Sequence, residues 1–201
     1  MSAARRLGIF GGAFDPPHQA HVALARAAIE QLQLDELRIV PTGQAWHKAR
    51  PLSDAVHRLA MARLAFADLP QAVIDERELR RAGPTYTVDT LRELHREHPQ
   101  DTLVLVIGAD QADTFDQWRE SDAIARLAII SIAGRPRADA PAAAGDAARV
   151  PGGQWVPIAL APLAVSATDI RERRAAGLGI DHLVPAPVAR YIDLHHLSLP
   201  A

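Results

Sequence analysis

The 201-residue sequence contains no cysteine. A disulfide framework and a thiolate metal site are therefore both excluded. It also lacks a dominant charge of either sign, since 22 Lys+Arg stand against 24 Asp+Glu and the formal net charge is −2. With no global basic field and no basic patch interleaved with aromatics, nucleic acid is not an expected partner, although a local positive cleft is compatible with this balance. No apolar run is long enough to cross a bilayer, and the one in "SAARRLGIFGG" is too short for a secretory signal core. A cytoplasmic location without a membrane partner follows as the expectation. Three chemical signatures are missing as well. There is no G-x-x-x-x-G-K-[ST] phosphate loop, no G-x-G-x-x-G dinucleotide turn and no H-E-x-x-H zinc helix.

What is present is ordinary globular material, 48% hydrophobic and 23% charged. The length suits one domain over residues 1–201, with a small helical C-terminal part at about 166–197. Apolar runs alternate with helical periods. "RLGIF", "ELRIV", "AVID", "TLVLVIGAD" and "LAIISIAG" read as strands. "HQAHVALARAAIEQLQL", "SDAVHRLAMARLAFADL" and "TYTVDTLRELHREHP" read as helices, the second capped by Ser53 or Asp54 and the third opened by a threonine. "VSATDIRERRAAG" reads as a capped helix ending at Gly177, and "VPAPVARYIDLHHL" as another opened by Pro185 or Pro187. This alternation predicts an α/β fold on a mainly parallel sheet. Residues 134–153, rich in alanine, proline and glycine, predict a long exposed loop.

The stretch "GIFGGAFDPPHQAH", residues 8–21, has the residue types of an anion site. The first strand is expected to end at Phe10. Gly11 and Gly12 would let the backbone turn and approach a ligand. Pro16 and Pro17 suit the first turn of a helix whose positive end faces that ligand. His18 and His21, three apart, would share one face and donate to phosphate oxygens as charge develops. The alternative, surface or helix-capping histidines, rests on the same spacing. At the far end, Ser166 can cap a helix whose N–H groups face a phosphate, and Arg171 supplies a permanently charged fork. A simple cap followed by a solvated basic helix is the alternative there.

These two segments carry a resemblance. "GGAFDPPHQAH" resembles the G-x-F-D-P-x-H-x-G-H motif of the nucleotidyltransferase superfamily, and "VSATDIR" resembles its I-S-x-T-x-x-R. The first motif departs in one place, where Ala20 stands for a glycine and adds one methyl group. "DERELRRAGPTYTVDTLRELH", "VIGADQADTFDQWRE" and "LVPAPVARYI" resemble segments of the bacterial nicotinate-mononucleotide adenylyltransferases, so the match spans residues 7–192.

The resemblance implies a Rossmann-like, doubly wound fold and transfer of AMP from ATP to nicotinate mononucleotide in NAD biosynthesis. It implies catalytic roles for His18, His21 and Arg171. It implies ATP contacts from those three and from Gly11, Gly12, Phe14, Gly108, Asp110, Ser166 and Thr168. Asp110, after the strand ending near Gly108, would hold a ribose or cap the next short helix. For the mononucleotide it implies His47 and Lys48 in "PTGQAWHKAR", Thr85, Tyr86 and Thr87 at a helix start, and Trp118 stacked on the pyridine ring. Ala45-Trp46 departs from the usual P-P-H-K loop. The acceptor's phosphate, with a second pKa of about 6, is its own nucleophile, so no general base and no covalent intermediate is expected. Mg²⁺ would arrive with ATP rather than on protein ligands. Sister reactions on phosphopantetheine or nicotinamide mononucleotide, and an ATP-sensing module without chemistry, are the competing readings. The sequence leaves monomer and homo-oligomer open.

Overall fold

A computed structural model describes residues 4–44, 52–134, 153–161 and 163–197. Along the chain run β1 (Arg6–Gly12), α1 (Gln19–Leu32), β2 (Glu36–Pro41), α2 (Ala55–Ala65), β3 (Ala72–Ile74), α3 (Arg77–Arg80) and α4 (Thr87–Glu97). After them come β4 (Thr102–Ile107), α5 (Ala109–Ala112), a 3-10 turn (Phe115–Gln117), α6 (Ser121–Leu127), β5 (Ile129–Gly134), β6 (Trp155–Ala159), α7 (Ala167–Ala175) and α8 (Ala186–Leu194). The strands form one parallel sheet in the order β3-β2-β1-β4-β5-β6, with helices on both sides. The expected Rossmann-like α/β class is what the chain adopts. The order reverses between β1 and β4, and open α/β sheets bind ligands beyond the carboxyl ends of strands at such a point.

The described residues divide into two compact units, each assembled from three chain segments. The first takes Met1–Gly11, Leu24–Arg38 and Tyr86–Pro162. Its centre is β4, whose residues Leu103–Ile107 are all buried, as a strand covered on both faces requires. It pairs with β1 (Ile9 beside Leu105) and with β5 (Val106 beside Ser131). Leu24, Ile29, Leu32, Val88, Leu91, Leu94, Phe115 and Ile124 supply further core. The outer strand β6 escaped the sequence reading because "WVPIA" is short and carries Pro157, which suits only an edge. The amide of Gln31 satisfies its last residue twice, donating to the Ala159 carbonyl at 2.9 Å and accepting its N–H at 2.8 Å.

The second unit takes Gly12–Ala23, Ile39–Thr85 and Leu163–Ala201. Phe14, Ile39, Met61, Phe66, Ile170, Val188 and Ile192 are buried in it. α7 ends as expected at Gly177, whose φ of +70° closes a paired cap. Gly177 donates to the Arg174 carbonyl and Leu178 to the Arg173 carbonyl. Pro185 precedes α8 and Pro187 lies in its first turn. Gly43 permits a close backbone approach, since a Cβ there would lie 2.1 Å from the Glu78 carbonyl oxygen.

Several local expectations are corrected. β1 runs on to Gly12 rather than ending at Phe10. Pro16 and Pro17 precede α1 instead of forming its first turn, and the Asp15–Pro16 bond is cis. Asp54 stands at the start of α2, but neither it nor Ser53 caps the helix through a side chain. The Ser53 N–H is instead given to the Asp15 carboxylate at 3.1 Å. α4 does open on a threonine as expected, Thr87, with no side-chain cap. The expected loop 134–153 falls, but for its two end residues, outside the described residues. No helix among the described residues is long and apolar enough to cross a membrane.

Candidate active site

The segment after β1 is held by backbone groups and two buried arginines. The Gly12 carbonyl accepts the Thr42 N–H at 2.8 Å. The turn itself is made at Phe14, with φ +49°, and not at the glycines, neither of which has a positive φ. A Cβ on Gly12 would come within 3.0 Å of the Phe14 ring, so this glycine makes room for an aromatic side chain. That corrects its expected role as the turning residue. On either side of Phe14 the carbonyls are fixed. Ala13 accepts from Arg58 Nη1 at 3.0 Å, and Asp15 accepts from Arg171 Nη1 at 3.1 Å. Both arginines are buried.

His18 and His21 follow. The His18 carbonyl accepts the Val22 N–H at 3.3 Å, so His18 is the residue that opens α1 and His21 is its third helical residue. The His18 N–H donates to His21 Nδ1 at 3.2 Å. This is half of a capping box, with an imidazole in place of the usual Glu or Gln. An accepting Nδ1 in a neutral ring puts the ring proton on Nε2, which makes Nε2–H a donor. The rings stack at 3.7 Å, and Phe14 sets its edge against His21 at 5.2 Å. His18 is buried, and burial lowers its pKa to about 4. It is therefore neutral near pH 7. Its Nδ1 has no hydrogen-bond partner among the described residues. The capping reading and the ligand reading of this pair are thus compatible.

The distant motif meets the same segment within the second unit. Ser166 Oγ accepts the Asp169 N–H at 3.1 Å and donates to Asp169 Oδ2 at 2.8 Å, which caps α7 as expected. Arg171 reaches Asp15 as described and donates through Nη2 to Thr168 Oγ1 at 2.9 Å. Ser166 and Arg171 are therefore structural members here, whatever they do for a ligand. Arg58 is a member the sequence reading missed. Its Nε donates to the Ser53 carbonyl at 2.9 Å, and its Nη1 also reaches the Thr42 carbonyl at 2.8 Å. The available signal was a guanidinium on the apolar side of a helix, beside Met61 and Ala62, where a buried charge must be satisfied.

Thr85 belongs to the second unit. It is buried, its N–H donates to the Gln44 carbonyl at 3.2 Å, and its Oγ1 has no partner among the described residues. His47 and Lys48, with Ala45-Trp46, lie outside the described residues. Gly11, Tyr86, Thr87, Gly108, Asp110 and Trp118 belong to the first unit. Gly108 opens α5, and a Cβ on it would meet Asp110 Oδ1 at 2.8 Å. Asp110 is exposed within the first turn of α5, not at its cap. Trp118 is half-buried with its ring 5.4 Å from Phe115. The Arg119 guanidinium, also missed, lies 4.4 Å over the Tyr86 ring. No group of three or more His, Asp or Glu side chains that could hold a metal occurs among the described residues.

Comparison with known proteins gives the family and the fold. A family model described as cytidylyltransferase-like matches residues 9–173. A relative from Albidiferax ferrireducens, named "Probable nicotinate-nucleotide adenylyltransferase", is 53% identical over 96% of this chain and 98% of its own. One of the same name from Bordetella petrii is 42% identical over 96% and 98%. The solved Plasmodium falciparum nicotinic acid mononucleotide adenylyltransferase complexed with NaAD superposes with a TM-score of 0.77 over 96% of this chain and 97% of that one. At 20% identity, that likeness concerns the fold.

Proposed function

The chain belongs to the nicotinate-nucleotide adenylyltransferases of the cytidylyltransferase-like family, and we propose that it joins ATP to nicotinate mononucleotide, releasing pyrophosphate and nicotinate adenine dinucleotide. The relatives' names and the near-complete coverage support the reaction. The observation that carries its chemistry is the His18–His21 hydrogen bond, which makes His21 Nε2–H a donor at the opening of α1. A helix start is also where backbone N–H groups and the dipole favour phosphate.

The substrate is MgATP, the metal travelling on the phosphates and neutralising part of their charge. The mononucleotide's phosphate, largely ionised at pH 7, attacks the α-phosphorus, and pyrophosphate leaves from the opposite side. No protein base is needed and no covalent intermediate forms. His21 donates to the oxygens on which charge builds, and neutral His18 supplies a second imidazole without adding a fixed positive charge. Ser166, Thr168 and Arg171 serve the β- and γ-phosphate end of the same set. Gly108 and Asp110 serve the nucleoside, with the Asp110 carboxylate accepting from ribose hydroxyls. For the mononucleotide we assign Trp118 to the pyridine ring, Thr85, Tyr86 and Thr87 to its carboxylate, and His47 and Lys48 to its phosphate.

The test is coupled pyrophosphate release with MgATP and, in turn, nicotinate mononucleotide, nicotinamide mononucleotide and phosphopantetheine. The expected result is a preference for the nicotinate form of a hundredfold or more, about 2.7 kcal/mol in transition-state discrimination. ATP binding without release from any acceptor would favour a nucleotide sensor instead.

A further inference from the structure

We propose that Arg58 is a positioning residue for the reaction, acting on His21 through the Ala13 carbonyl and Phe14. The inference rests on the adenylyltransferase reading and extends it to a residue that meets no substrate.

The geometry is specific to a forked donor. Arg58 lies on α2 and is buried, at 3% exposure. Its Nη1 is shared between the carbonyls of Ala13 and Thr42, and its Nε is given to Ser53. Thr42 in turn donates to Gly12. One guanidinium thus ties the end of β1, the segment following β2 and the approach to α2. Arg171 holds the Asp15 carbonyl two residues further on. Between the two fixed carbonyls, Phe14 occupies a left-handed conformation that a residue with a side chain does not adopt without support. Its ring, buried to 1% exposure, packs edge-on against both His21 and Phe66. The His21 ring is therefore contacted by the Phe14 ring, stacked on by the His18 ring and bonded at Nδ1 by the His18 N–H. Loss of the Ala13 contact frees Phe14 to leave the left-handed region, and the His21 ring loses its contact with Phe14.

Arg58→Lys keeps the charge but not the fork, because one ammonium cannot replace donors from Nε and Nη1 at once. In the pyrophosphate assay, Arg58→Lys is expected to lower kcat by thirtyfold or more while KM for ATP and for nicotinate mononucleotide moves less than threefold. In a His21→Ala background the same change is expected to cost less than threefold, since the residue it acts through is gone. Phe14→Leu, which breaks the other link, is expected to show the same dependence on His21 and serves if Arg58→Lys does not fold. An independent readout is the imidazole ¹⁵N spectrum. The wild type should show His21 as one tautomer with the proton on Nε2, and both variants a mixture. An equal loss of kcat with and without His21, or an unchanged His21 spectrum, would overturn the proposal. Absence of turnover in the wild type would sink the reaction assignment alone, because the spectrum still reads the positioning.

Discussion

The backbone N–H of His18 donates to Nδ1 of His21 at 3.2 Å, while the two rings stack at 3.7 Å. A single bond thus closes the start of α1 and selects the tautomer of the second histidine. The Nε2–H donor is oriented by the protein itself, which is the condition under which a hydrogen bond contributes most to a transition state.

His21→Ala should therefore lower turnover far more than it weakens ATP binding. Removing one such donor costs on the order of 10²–10³ in kcat. Steady-state kinetics beside calorimetric ATP binding decide the matter. Equal losses in both would reduce His21 to a ground-state contact.

The buried state of His18 gives a pH signature. Its pKa is about 4 in the folded protein against an ordinary value of 6.5. Between those values the unfolded chain binds more protons at this residue, so acid favours unfolding there. The stability associated with neutral His18 is complete above about pH 6.5, declines as pH falls towards 4, and is lost by at most about 3 kcal/mol. Urea midpoints of wild type and His18→Gln at pH 7.0 and 4.5 test this. The wild type should lose more than the variant, and parallel losses would assign the acid sensitivity elsewhere.

Ser166 caps α7 and is proposed to meet phosphate, and substitution can separate the two. Ser166→Ala removes the cap of α7 and should cost about 1 kcal/mol of stability. Ser166→Asp retains an oxygen for the Asp169 N–H but sets a second carboxylate against that of Asp169, so part of the stability should still be lost, and it adds a negative charge at the proposed phosphate end. ATP affinity should then fall at least tenfold by calorimetry. An Asp variant that binds ATP normally would leave Ser166 with the cap alone.

Gly43→Ala should destabilise more than Gly177→Ala. The first places a Cβ 2.1 Å from a backbone oxygen that cannot swing aside, at the upper end of the roughly 1–3 kcal/mol typical of overpacking. The second meets open space and bears only the left-handed backbone, about 1 kcal/mol. Denaturant midpoints of the two variants give the order directly.

Much of the architecture was legible because it is written in short runs. β4 showed itself as an unbroken β-branched and leucine stretch, since a central parallel strand has no solvent face. The histidine pair and the Ser166 cap were legible because a helix start acts over three residues. The turn after β1 was misread for a physical reason. Two glycines signal conformational freedom, yet here one of them makes room for a ring, and the strained position is Phe14. β6 was missed because Pro157 contradicts a strand everywhere except at an edge, and edges are assigned only once strands have neighbours.

What the sequence by itself determined is the alternation that makes a parallel sheet, and the residue types gathered at two helix starts. Both depend on periodicity and on contacts a few positions apart. Only the tertiary structure decided what the buried cations hold. Arg171 meets the carbonyl of Asp15 across 156 positions, and Arg58 meets that of Ala13 across 45. A guanidinium removed from water must find acceptors, and the chain alone does not say which carbonyls will be left for it. Packing does, and it thereby sets the backbone of Phe14 and the ring of His21.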